Sequence, residues 1–202
     1  MKKYRFVSAL MAVLLCLTLL PVPAAALDDP DIQAQHVILL DGNYDEVLYD
    51  KAGKEKAYPA SITKVMTALL VMEAIESGQM TADTMITASE HSQQGLSIYG
   101  STQNIKPGET MSVKDLLYCL LVPSANEAAN ILAEAVDGSI EDFVAHMNRR
   151  AGELGCQGTH FANPHGLHND DHYTTALDLA HIVRAAMKYD LFRQIVYTSV
   201  YE

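Results

Sequence analysis

The chain is short of basic residues. Its 202 residues carry 14 lysines and arginines against 25 aspartates and glutamates, a formal net charge of −11. Lys2, Lys3 and Arg5 stand within the first 26 positions, which hold no acidic residue, so residues 27–202 carry −14. A chain this acidic disfavours nucleic acid as a partner and lacks the basic patch that holds an anionic lipid surface. Cysteine is scarce too, with three in all. Cys16 falls in an apolar leader, which leaves Cys119 and Cys156 as one conceivable pair in an oxidising compartment. Cys119 sits in the apolar run Leu116-Leu117-Tyr118-Cys119-Leu120-Leu121, where a simple buried thiol serves equally well. Internal repeats, low-complexity linkers, a His-Glu-x-x-His pair and a thiolate cluster are all missing. The histidines at 160, 165, 168 and 172 therefore show no metal-ligand spacing, and no metal is expected there.

With 49% hydrophobic and 19% charged residues, the composition fits one globular domain with a sizeable core. The first residues stand apart from that core. Lys2, Lys3 and Arg5 precede the apolar run of residues 6–20, and Pro21-Val22-Pro23 leads to Ala24-Ala25-Ala26. This is the layout of a secretory signal peptide, cut most simply after Ala26, and the apolar run is short for a membrane span of about 20 residues. Residues 1–26 are thus expected to be a signal peptide and residues 27–202 an extracytoplasmic domain. No small residue precedes Cys16 to suggest lipid attachment.

The chain is organised around Tyr58-Pro59-Ala60-Ser61-Ile62-Thr63-Lys64-Val65-Met66. Ile62, Val65, Met66, Leu69 and Leu70 recur at helical spacing, with Val71 and Ile75 adding bulk to the other side, which predicts a buried helix. Pro59 sets its start at Ala60 or Ser61, and Gly78 its end. Ser61 and Lys64 are three residues apart, hence neighbours on the helix surface. A serine hydroxyl attacks a carbonyl only when its proton is taken. A lysine takes that proton only when burial and the positive end of a helix disfavour its ammonium form. A chain of this length holds roughly one Ser-x-x-Lys by chance, and Ser61 alone could simply be a helix cap, so a second motif has to accompany it.

Around this helix the other elements follow. Residues 36–40 and 46–49 read as short strands joined through Asp41-Gly42-Asn43. Residues 81–110 look irregular, broken at Gly95, Gly100 and Pro107-Gly108, and read either as one wall of a cleft or as a surface excursion. Helices are predicted from Ser112 to the stop at Pro123, behind Ser124, from about Ser139 to Leu154, and from Thr175 through Met187, with residues 190–196 as a continuation. Ser124-Ala125-Asn126 supplies the second motif. Ser124 is read at an N-cap position, and next to Ser61 and Lys64 it offers a hydroxyl for proton relay, with Asn126 offering a carboxamide for a substrate amide.

Ser61-Ile62-Thr63-Lys64 together with Ser124-Ala125-Asn126 resembles the first two motifs of the serine penicillin-recognising enzymes, a set described among known catalytic motifs. Val113-Lys114-Asp115-Leu116-Leu117, Asn163-Pro164-His165-Gly166-Leu167 and His172-Tyr173-Thr174-Thr175-Ala176 are similar to the D-alanyl-D-alanine carboxypeptidases, the low-molecular-weight penicillin-binding proteins. The likeness covers most of residues 34–195. It implies an α/β (α+β) fold of the β-lactamase/transpeptidase kind, an antiparallel sheet plus a helical subdomain. It also implies removal of the terminal D-alanine from peptidoglycan stem peptides, with Ser61 as nucleophile, Lys64 as base, Ser124 in the proton relay and Asn126 on the substrate backbone. β-Lactams are the implied inhibitors, and no cofactor is called for. The family's third motif, Lys-Thr-Gly or a close variant, does not occur after Lys64, so residues 27–202 are expected to be the N-terminal portion of the catalytic domain, without its C-terminal strands. Any membrane association is expected through a C-terminal segment not present here. Two other readings stay open: a β-lactamase, for which Glu153 or Asp170 would have to supply the deacylating carboxylate, and a non-catalytic binder of cell-wall peptides.

Overall fold

The structure, a computed structural model, describes residues 31–201, so the expected signal peptide lies outside the described residues. The compact unit begins at Ala34. At its centre runs α1, Lys64–Glu76, entered through the 3-10 turn Ala60–Thr63. Met66, Ala68, Leu69, Leu70, Val71 and Met72 cover every side of this helix and are all buried. A helix with no polar face is stable only when enclosed, which is why it lies in the core. Ile62 departs from the expected apolar face: it belongs to the entry turn and is half exposed.

Five helices pack against α1: α2 (Val113–Leu121), α3 (Asn126–Asp137), α4 (Ile140–Glu153), α5 (Ala176–Ala186) and α6 (Asp190–Val196). Three of them start as the sequence predicts. The hydroxyls of Ser112, Ser139 and Thr175 accept the backbone N–H of Asp115, Asp142 and Asp178, filling one vacant donor at each helix start. Leu116, Leu117, Leu120, Ile131, Leu132, Phe143 and Met147 meet α1 to form the core. The last helix, α6 (Asp190–Val196), is separate from α5, not its continuation. At Lys188 and Tyr189 the backbone bonds tighten to the carbonyls of Ala185 and Ala186, three residues back, which closes α5 and turns the chain.

The expected hairpin is present as β1 (Val37–Leu40) and β2 (Val47–Lys51), antiparallel, with a bulge between Leu39 and Leu40. It packs on α5. A second antiparallel pair, β3 (Met85–Thr87) and β4 (Thr110–Ser112), brackets residues 88–109, a span the sequence reading treats as wholly irregular. The architecture is α+β. No described helix is long and apolar enough to cross a membrane.

Candidate active site

Ser61 stands exposed in the entry turn of α1, and Lys64, the first residue of α1 proper, is 2% exposed. Ala60, just ahead of the serine, has φ +47, in the left-handed region that costs a non-glycine residue on the order of 1 kcal/mol. Lys64 Nζ lies 3.4 Å from Ser61 Oγ and donates to Asn126 Oδ1 at 2.7 Å and to the His165 carbonyl at 2.8 Å. Burial pulls the lysine pKa down to about 8, against the opposing pull of the Glu127 carboxylate. A neutral amine has two N–H groups and one lone pair. With Asn126 and His165 taking the two N–H groups, the lone pair is left for the Ser61 hydroxyl.

Asn126 opens α3, and its backbone N–H reaches the Ser101 carbonyl at 3.0 Å. Its Oδ1 is committed to Lys64, which leaves the Nδ2 amide, beside Gly100, for a ligand. Ser124 is not the N-cap; Ala125 occupies that position, and Ser124 has φ +65. Its hydroxyl is buried without a hydrogen-bond partner, so three of the four expected residues are bonded into one network and Ser124 makes no bond to it.

What builds the network escapes a reading of side-chain motifs. Two successive carbonyls fasten residues 163–167 to α1: that of Pro164 accepts the Thr67 hydroxyl at 2.6 Å, and that of His165 accepts Lys64. The Asn163 side chain braces this loop by accepting the Gly166 N–H at 2.6 Å and donating to the Leu167 carbonyl at 2.9 Å. His172 Nδ1 accepts the Ala162 N–H at 3.0 Å, so Nε2 carries the proton and donates to Thr63 Oγ1 at 2.8 Å. Desolvation lowers both His165 and His172 to about 4, which keeps them neutral near neutral pH, so neither acts there as a charged acid. Glu127, buried, holds the other wall. Its Oε1 accepts the Thr102 hydroxyl at 2.8 Å and the Gln103 N–H at 2.7 Å, which fixes part of the 88–109 excursion as a cleft wall.

The cleft over Ser61 has a volume of about 300 Å³ and is lined by Tyr58, Tyr99, Asn126, Leu167 and His168 among others, with no carboxylate. Glu153 is paired to Arg150 at 3.0 Å and Asp170 lies in the open beside His168, and neither is among the residues that line the cleft. A larger groove of about 890 Å³ runs between β1 and α5, but it holds neither Ser61 nor Lys64; its walls are apolar, including Ile38, Leu40, Ile62, Leu179 and Val183. Cys119 and Cys156 are both free thiols.

An α+β frame that presents a serine on the entry turn of a central helix, with a buried lysine behind it, is the fold of the penicillin-binding DD-peptidases. Penicillin binding protein 6B from Escherichia coli superposes with a TM-score of 0.80 at 31% identity, covering 87% of this chain and 56% of that one. The Streptomyces K15 DD-transpeptidase gives 0.78 at 29% identity, covering 85% and 67%. The chain belongs to the family Peptidase_S11, D-alanyl-D-alanine carboxypeptidase, whose sequence profile matches residues 23–202. Similar in sequence is the D-alanyl-D-alanine carboxypeptidase DacF of Bacillus subtilis, 36% identical over 203 residues, 98% of this chain and 51% of that protein. The chain spans about half the length of the first curated relatives it matches.

Proposed function

We propose that the chain carries the nucleophile-bearing part of a serine-type D-alanyl-D-alanine carboxypeptidase that works outside the cytoplasm on peptidoglycan stem peptides. Ser61 Oγ attacks the carbonyl between the two D-alanines, and its proton passes to Lys64 Nζ. Asn126 Nδ2 donates to a substrate carbonyl. As the C–N bond breaks, the proton reaches the leaving amine, with Ser124 as relay, and water then hydrolyses the Ser61 ester. The Ser61 amide supplies one donor for the oxyanion; each such donor is typically worth about 10² to 10³ in rate. No metal or organic cofactor enters these steps. The observation that carries the reading is the buried Lys64, held near neutrality and aimed by Asn126 and His165 at an exposed serine. Among the described residues the cleft lining holds no carboxylate, the group that the β-lactamase alternative requires for fast deacylation, which disfavours that alternative. The same feature predicts a long-lived penicillin adduct.

Intact-mass analysis after incubation with a penicillin tests this, followed by peptide mapping. The expected result is one penicillin per chain, on the peptide that contains Ser61. No adduct, or one on another residue, overturns Ser61 as the nucleophile of this chain, and tight binding of the stem peptide with neither adduct nor released D-alanine favours a non-catalytic wall-binding protein.

Glu127 offers a second check. Its negative charge supports the ammonium form of Lys64, so Glu127→Gln lowers the lysine pKa further and shifts the pH profile of acylation toward acid. The variant also exchanges charge-assisted bonds to Thr102 and Gln103 for neutral ones, at a cost of about 1 kcal/mol each. A profile that stays put or moves toward alkali would show that Glu127 does not act on Lys64.

A further inference from the structure

Away from the Ser61 cleft, the turn after α4 and the first turns of α5 bring together three side chains of ligand type. Cys156 lies just beyond α4, while Asp178 and His181 are three residues apart on α5 and so share a helix face. A sulfur, a carboxylate oxygen and a ring nitrogen from these residues all lie within 4.8 Å of one another. Cys156 and Asp178 are more than nine-tenths buried. The carboxylate is held in place: Asp178 Oδ2 accepts the Gly158 N–H at 2.8 Å and the Thr159 hydroxyl at 2.7 Å. His181 is the odd member. Its Nδ1 is buried and has no hydrogen-bond partner, whereas Nε2 faces Asp45 Oδ1 at 3.8 Å. A buried polar atom left unpaired is costly, so the vacant imidazole nitrogen of His181 calls for a partner.

We propose that Cys156, Asp178 and His181 form a binding site for a divalent transition-metal ion of the zinc type. Thiolate, imidazole and carboxylate together suit zinc or cobalt, and not magnesium or calcium, which take oxygen ligands. Metal bonds of about 2.0–2.3 Å to each donor require these atoms to draw together from their present spacing of up to 4.8 Å. Asp45 stands behind the imidazole, where a carboxylate fixes ring orientation in such sites. Binding removes the thiol proton of Cys156 to solvent and exchanges the present thiol contact to the Asp178 carbonyl, at 3.5 Å, for the metal bond. With no ion present, burial first and then the Asp178 charge push that thiol up to about 12, so the ion itself must drive the deprotonation. The ion clamps α4 to α5 and so fixes both ends of residues 157–175, the segment whose His165 carbonyl aims Lys64.

Titration of the purified metal-free protein with cobalt(II) tests the site independently of any reaction at Ser61. The expected result is one tight equivalent with a thiolate-to-cobalt absorption band and a rise in unfolding temperature with zinc(II). Cys156→Ser removes the band, His181→Ala weakens binding more than about tenfold, and Cys119→Ser changes neither. Circular dichroism of the metal-free variants establishes that they are folded. No band, or affinity unchanged in Cys156→Ser and His181→Ala, overturns the proposal.

Discussion

Replacing Lys64 by methionine is expected to slow acylation of Ser61 by a penicillin by about 10² to 10⁴, the contribution typical of a positioned general base. Ser61→Ala is expected to abolish the adduct. Methionine keeps the length and the buried apolar stem of Lys64 but provides neither the lone pair for the serine proton nor the N–H groups that meet Asn126 Oδ1 and His165 O. The same argument fixes the pH dependence of the unmutated chain. Only the neutral amine accepts a proton, and burial sets its pKa near 8, so the acylation rate climbs with rising pH and levels off above about 8. In Lys64→Met that limb disappears. Single-turnover acylation rates across this range decide the matter. If Lys64→Met stays within a factor of ten of the unmutated chain, or if the unmutated profile is flat through pH 8, Lys64 is not the base.

The parts of the site that were legible in the sequence are those written in local spacing. Ser61 and Lys64 follow from three-residue separation on a helix whose start Pro59 dictates, and Ser112, Ser139 and Thr175 announce helix starts because each cap bond spans three residues. What escaped is written in backbone atoms or in contacts between distant segments. The acceptor that orients Lys64 is the carbonyl of His165, 101 positions away, and any residue type offers a carbonyl. β3 and β4 have three residues each, too few for an alternating pattern to emerge, and their register spans the whole 88–109 excursion. Glu127 follows the motif residue Asn126 and reads as an ordinary acid in the first turn of a helix, yet in the fold it is buried and anchors Thr102 and Gln103. Ser124 shows the opposite error: a serine before a helix reads as a cap, but its left-handed backbone hands that place to Ala125. Cys156, Asp178 and His181 carry no joint signal, since the turn and the helix that unite them are separated by the loop holding the lysine acceptor.

Gly166→Ala is expected to destabilise the protein by about 3 kcal/mol or more and to reduce acylation at least about 10²-fold. Gly166 has φ +88, and a Cβ there would overlap the Ala60 carbonyl and stand 2.9 Å from Thr63 Oγ1. Ala60 is the residue before the nucleophile and already holds a left-handed φ, so it has little freedom to retreat. Relief therefore comes either from moving the entry turn of α1, which displaces Ser61, or from withdrawing residues 163–167, which takes the His165 carbonyl from Lys64. Both routes disable the site. Gly78→Ala separates the two sources of cost. Gly78 has a nearly equal φ of +78, but a Cβ there meets nothing within 4 Å, so that change carries only the left-handed backbone penalty, about 1 kcal/mol, and leaves acylation untouched. Denaturant unfolding and acylation rates of the two variants measure the difference. Should Gly166→Ala cost no more than Gly78→Ala, the close seating of the 163–167 loop on Ala60 would be wrong, and with it the account of how Lys64 is aimed.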